Sequence, residues 1–129
     1  MDTALKFVLV FVGGGVGSCA RFAIGELVRS RVSGEFPWGT FSVNVTGALV
    51  IGILMGALFE SGTDSTWRLL LAVGTLGGYT TFSALAYESL KMLENRNYGV
   101  LAAYMIGTNV LGLAACWLGL VIARRALGH

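Results

Sequence analysis

The stretch Gly74-Thr75-Leu76-Gly77-Gly78-Tyr79-Thr80-Thr81-Phe82-Ser83 lies near the middle of a long apolar run. Paired glycines weaken a helix, and the hydroxyls of Thr75, Thr80, Thr81 and Ser83 sit poorly in lipid. Backbone that leaves the helix inside a bilayer frees amides and carbonyls. Hydrocarbon cannot satisfy them, so they must face protein, water or an ion. The stretch therefore predicts a broken membrane helix. Its break would carry an ion site, and Phe82 after it would face a conduction path.

Composition supports a bilayer setting. The 129 residues are 55% hydrophobic and 12% charged, with mean hydropathy +0.74. A soluble domain carries about 25% charged residues. One crossing takes roughly 20 residues, so the length holds about four crossings in one integral membrane domain, residues 1–129. The formal charge of +2 is too small to argue for a nucleic-acid partner. Cys19 and Cys116 lack metal-type spacing and are expected as small buried residues. His129 reads as a solvated terminus. Lys6 and the apolar run after it imitate a signal peptide, but Asp2 weakens the positive start, and the segment is read as the first span.

Span one is expected from Ala4 to Val28. Gly13, Gly14, Gly15 and Gly17 give it a smooth face for close helix packing. Arg21 lies deep in this span, where it either snorkels, forms a structural ion pair, or attracts an anion at a vestibule. Glu26, five residues on, is a poor helical partner for it. Pro37 and Trp38 mark an interfacial helix start. Span two then runs from Gly39 to Phe59, with Thr40, Asn44 and Ala48 on one face. Asn44 either bridges helices or belongs to a water- or ion-lined face. Span three runs from Leu69 to Leu93, and after the break Phe82, Leu85, Ala86 and Ser89 share a helical face. Span four runs from Tyr98 to Ala123, with Tyr104, Thr108 and Gly112 in register and Arg124 and Arg125 stopping the helix.

Four spans put both termini on one side. Lys6, Arg68, Arg124 and Arg125 then face Arg29, Arg31, Lys91 and Arg96 across the membrane. Orientation normally follows an excess of Lys and Arg on the cytoplasmic side. An even balance predicts insertion both ways and an antiparallel, dual-topology dimer in which the two breaks meet near the midplane.

Two other functions fit four spans. A small proton-coupled multidrug or cation exporter needs an acidic residue deep in the first helix, and Asp2, Glu26, Glu35, Glu60, Asp64, Glu88 and Glu94 include none mid-membrane there. A non-transporting assembly protein explains the glycine face but not the break. No nucleophile–base pair, metal cluster or phosphate loop points to an enzyme.

Arg21, Gly39-Thr40-Phe41-Ser42-Val43-Asn44 and Gly77-Gly78-Tyr79-Thr80-Thr81-Phe82-Ser83 together resemble the Fluc (CrcB) family of fluoride channels. The resemblance covers nearly the whole chain in length, span count and motif order. It implies a dual-topology homodimer in a bacterial cytoplasmic (inner) membrane. Such a dimer lets fluoride leave the cell down its gradient, confers fluoride resistance, and holds a structural Na⁺ on its two-fold axis. By the same resemblance, Gly77 and Thr80 supply backbone carbonyls to the Na⁺. Asn44 and Phe82 line the pore, Tyr104 and Thr108 match a polar track on the fourth helix, and Glu88 matches an acidic position. Two positions depart from the pattern: Leu85 stands where a second phenylalanine is usual, and Gly112 where a hydroxyl is.

The chemistry suits these residues. Fluoride holds its water strongly, so donors must replace that water as it is lost. Asn44 and the hydroxyls of Thr40, Thr81 and Ser83 are neutral donors. An aromatic ring is negative on its face and positive at its edge, so the Phe82 edge can meet an anion. Conduction needs binding strong enough to admit an ion and weak enough to release it.

Overall fold

A computed structural model describes residues 1–59, 62 and 64–128. The expectations for Glu60 in the second loop and for His129 lie outside the described residues. Four helices are long and apolar enough to cross a membrane: Thr3–Arg31, Trp38–Leu58, Ser65–Glu94 and Tyr98–Leu127. No strand occurs among the described residues.

The helices associate as two tightly packed pairs. Lipid offers no hydrophobic drive for helix pairing, so close van der Waals contact has to hold them. Spans one and three meet through glycine. A Cβ built on Gly13 would collide with the Leu70 carbonyl oxygen, one on Gly17 with that of Thr75, and one on Gly78 with that of Gly14. Spans two and four meet the same way, with Gly52 against the Cys116 carbonyl and Gly119 against that of Leu49. The predicted smooth face of span one is therefore an internal packing face. Its partner is the third span of the same chain.

Two stretches are wound as π-helix, Met55–Phe59 and Arg68–Leu76. The second leads directly into the polar stretch. There Thr75 donates its hydroxyl to the Leu70 carbonyl at 2.8 Å, matching the wider i→i−5 turn. Gly77, Gly78 and Tyr79 continue as α-helix. The backbone turns extended at Thr80 (φ −79°, ψ 156°) and Thr81 (φ −147°, ψ 116°), and helix resumes over Phe82–Glu94. The interruption thus begins at Thr80, two residues after the paired glycines. Both glycines are helical, and Gly78 serves close packing against Gly14.

Several expectations change in detail. The fourth helix runs past Arg124 and Arg125 to Leu127 and ends at Gly128, which is left-handed at φ 76°. The two arginines sit in the last turn, where cations suit the helix dipole. Cys19 is exposed and Cys116 half-buried, and both are free thiols, so neither is the buried residue expected. After the interruption, Leu85, Ser89 and Met92 are buried, whereas Phe82 and Ala86 are exposed. The four residues expected on one helical face thus divide into a buried pair, Leu85 and Ser89, and an exposed pair, Phe82 and Ala86.

The core nearest the interruption is Leu85, Met92 and Tyr104, with Phe36 and Phe41 packed against it. Phe36 meets Tyr104 edge-on at 5.4 Å between ring centroids. Phe7, Phe11, Phe22, Leu113 and Trp117 point outward, as suits a chain whose surrounding solvent is hydrocarbon.

Candidate functional site

The site is built around the two extended residues. In an unbroken helix the Thr81 N–H would donate to the Gly77 carbonyl, four residues back. Here it donates to Asn44 Oδ1 at 2.8 Å, and Asn44 Nδ2 returns a bond to the Thr81 carbonyl at 3.0 Å. Likewise the Ala84 N–H, which would close a turn on Thr80, donates to Thr81 Oγ1 at 3.2 Å. The Thr81 hydroxyl thus caps the second half of the span. The carbonyls of Gly77 and Thr80 are among those that lose their ordinary helical donors at the break, because these two amides are engaged elsewhere. The Gly78 carbonyl faces Ser18 Oγ at 3.5 Å. Sequence reasoning passed over Ser18; its only signal was its place one turn beyond Gly14 on the packed face.

A cavity of about 420 Å³ opens beside the interruption. It brings together Asn44, Gly77, Thr80, Thr81, Phe82, Leu85 and Thr108 from spans two, three and four. Thr108 is 8% exposed, and its buried hydroxyl oxygen has no hydrogen-bond partner among the described residues. Such a group costs about 1–3 kcal/mol unless something fills its shell. Phe82 is 81% exposed, so its ring is free of this chain's own core. Ser83 Oγ lies 3.3 Å from Thr81 Oγ1.

A second cavity, about 410 Å³, lies toward the loop end and is lined by Ser18, Arg21, Arg29, Thr40, Thr81 and Glu88 among others. Thr81 borders both cavities. Arg21 is half-buried and has no ion pair among the described residues. Glu26 pairs with Arg29 at 3.0 Å instead, because three residues suit a helical pair and five do not.

Glu88 is held on both oxygens. Thr40 Oγ1 donates to Oε1 at 2.8 Å, and Tyr104 OH donates to Oε2 at 2.6 Å. Tyr104 is fully buried, at 0% exposure. Tyr104 and Thr108 share a face at four-residue spacing, yet they end in different places, one on Glu88 and the other in the cavity at the interruption. Gly112, one turn further, has open space where a side chain would be. Leu85 is buried in the core cluster and also lines the cavity at the interruption. Replacing Tyr104 with phenylalanine keeps the ring packing and deletes the short bond to the carboxylate. We expect a loss of roughly 1.5–3 kcal/mol, the scale of a hydrogen bond to a charged group. It would be read as a lower thermal midpoint in detergent, with Thr40→Val losing less; an unchanged midpoint in Tyr104→Phe would mean the bond contributes nothing.

Comparison with known proteins covers most of the chain. The family profile described as "CrcB-like protein, Camphor Resistance (CrcB)" matches residues 8–120. A protein of Solibacter usitatus (strain Ellin6076) named "Fluoride-specific ion channel FluC" is 43% identical over 122 residues, covering 94% of this chain and 100% of that protein. One of Novosphingobium aromaticivorans with the same name is 43% identical over 124 residues, covering 95% and 97%. That of Acidobacterium capsulatum is 36% identical over 122 residues, covering 94% and 98%. A match running from the first span into the fourth, over a chain built of four bilayer-length helices, makes this a multi-pass membrane protein of the CrcB family, a family of channels and not of enzymes.

Proposed function

We propose that the chain is a fluoride channel. It passes fluoride out of a bacterial cell, across the cytoplasmic membrane, down the ion's gradient. The relatives named above are named fluoride-specific ion channels, and the residues here fit the chemistry. The observation that carries the reading is the cavity beside Thr81, where the buried Thr108 hydroxyl has no partner among the described residues.

In this reading an anion is drawn by Arg21 into the cavity that Thr40 and Glu88 also line. The two donors on Glu88 offset part of its charge and hold it aside. Beyond Thr81 the ion exchanges water for neutral donors: the Thr108 hydroxyl, the remaining N–H of Asn44, and the hydroxyls of Thr81 and Ser83. The Phe82 edge adds a weakly positive wall. None of these is a fixed cation, so the ion is not held too long.

Two copies in opposite orientation form the conducting unit. Support comes from the even loop charges and from Phe82, which one copy leaves uncovered. A Na⁺ at the two-fold axis would be held by the Gly77 and Thr80 carbonyls. The donor set fits, since both are hard oxygens whose helical amides are engaged elsewhere. When bound, the ion supplies a buried positive charge that links the two interruptions and offsets their exposed carbonyls.

The test is ion efflux from liposomes containing the purified protein. Fluoride is expected to leave while chloride stays. Vesicles that retain fluoride would end the proposal. Replacing sodium with a larger cation on both sides is expected to impair the protein, and indifference to the cation would remove the carbonyl site.

A further inference from the structure

We propose that Asn44 is a positioning residue. Its carboxamide oxygen takes the Thr81 N–H that a closed helical turn would give to Gly77, and so keeps the Gly77 carbonyl open to a cation. The inference rests on the cation reading given above. It is carried by the reciprocal pair between the Asn44 side chain and the Thr81 backbone, at 2.8 and 3.0 Å.

The extended Thr81 has an amide without a helical partner, which is costly in hydrocarbon, whereas its carbonyl, at the N-cap, opens the next helix. Asn44 satisfies that amide and adds a second bond to the carbonyl. A primary amide presents an acceptor and a donor on one planar head, so it copies a backbone partner in shape as well as polarity. Thr81 is itself buried, so water is a poor substitute. Remove the carboxamide, and the acceptor that an ordinary helix offers the Thr81 N–H is the Gly77 carbonyl. The turn then closes, and the oxygen is lost to the cation. Only one Asn44 N–H remains for any passing anion, so most of its hydrogen-bonding capacity serves the backbone.

The same helix holds the third span a second time. Thr40, one turn before Asn44, grips Glu88 at 2.8 Å. Thr81 and Glu88 both belong to the half of the span beyond the interruption. Span two therefore fixes that half at two points, which keeps the interruption from closing by rotation.

The experiment is a Na⁺ titration of thermal unfolding, on the purified protein in detergent with a large organic cation as the balancing ion. Wild type is expected to be stabilised by Na⁺. Asn44→Ala is expected to need about tenfold more Na⁺ for half the effect, the change given by one exchanged hydrogen bond of ~1.4 kcal/mol. In that variant, a backbone ester in place of the Thr81 amide deletes the N–H that would occupy Gly77. The Na⁺ requirement should then return toward wild type, a rescue that a purely packing role does not predict. An unchanged Na⁺ midpoint in Asn44→Ala, whatever its fluoride flux, would overturn the inference while leaving the cation reading intact. An ester that restores nothing would also overturn it. A wild type whose melting ignores Na⁺ would overturn both. If Asn44→Ala does not assemble, Asn44→Ser carries the same comparison, since its hydroxyl is too short to span both Thr81 groups.

Discussion

Phe82→Ile is expected to lower fluoride flux by about tenfold or more while leaving the protein folded. The ring is 81% exposed in the single chain, so no core contact of this subunit is lost. Isoleucine keeps an apolar side chain at the same place and removes only the aromatic edge. An edge contact of this kind is worth roughly 1 kcal/mol. If it acts on the barrier, that alone gives about a fivefold change, since ~1.4 kcal/mol is tenfold in rate. A second ring from the partner copy in the same path doubles the energy. Two measurements decide: fluoride efflux from liposomes, and the elution volume of the detergent-solubilised protein. Normal flux would make Phe82 a lipid- or partner-packing residue and remove it from the path. Lost assembly together with lost flux would show that the ring holds copies together.

Gly17→Val is expected to abolish assembly. A Cβ at residue 17 would fall on the Thr75 carbonyl oxygen, with the Tyr79 amide nitrogen 2.9 Å away. Both obstacles are backbone, so no rotamer change relieves them. Spans one and three would have to separate along the stretch that leads into the interruption. Ordinary overpacking costs about 1–3 kcal/mol; a backbone collision belongs at or above the top of that range. Gly15→Ala is the control. A Cβ there has nothing within 4 Å, and alanine favours helix by roughly 0.8–1 kcal/mol. The first variant should be lost from the monodisperse peak and the second should keep wild-type yield and flux. Equal behaviour of the two would mean that the close approach of these helices is not needed for folding.

Much of the molecule is legible in the order of its residues. Low charge and four apolar runs determine four bilayer helices, because hydrocarbon accepts few alternatives for a backbone. The run of hydroxyls around Thr80 and Thr81 is a local signal of the same kind. It marks where an ordinary helix is disfavoured. The motif order and its resemblance to a channel family were equally visible without coordinates, and the comparisons bear that family out.

What tertiary structure decided is which neighbour meets each polar group. The glycines at 77 and 78 suggested that they break the helix; both are helical, and Gly78 admits the first span at Gly14. Asn44 offered two readings of equal weight, and only the fold brought its amide to the Thr81 backbone, 37 residues away in sequence. Tyr104 and Thr108 look alike as a polar stripe, yet one is bonded to Glu88 and the other has no partner among the described residues. Helical periodicity places a residue on a face. The partner across that face comes from another part of the chain, and its distance depends on how closely two backbones approach.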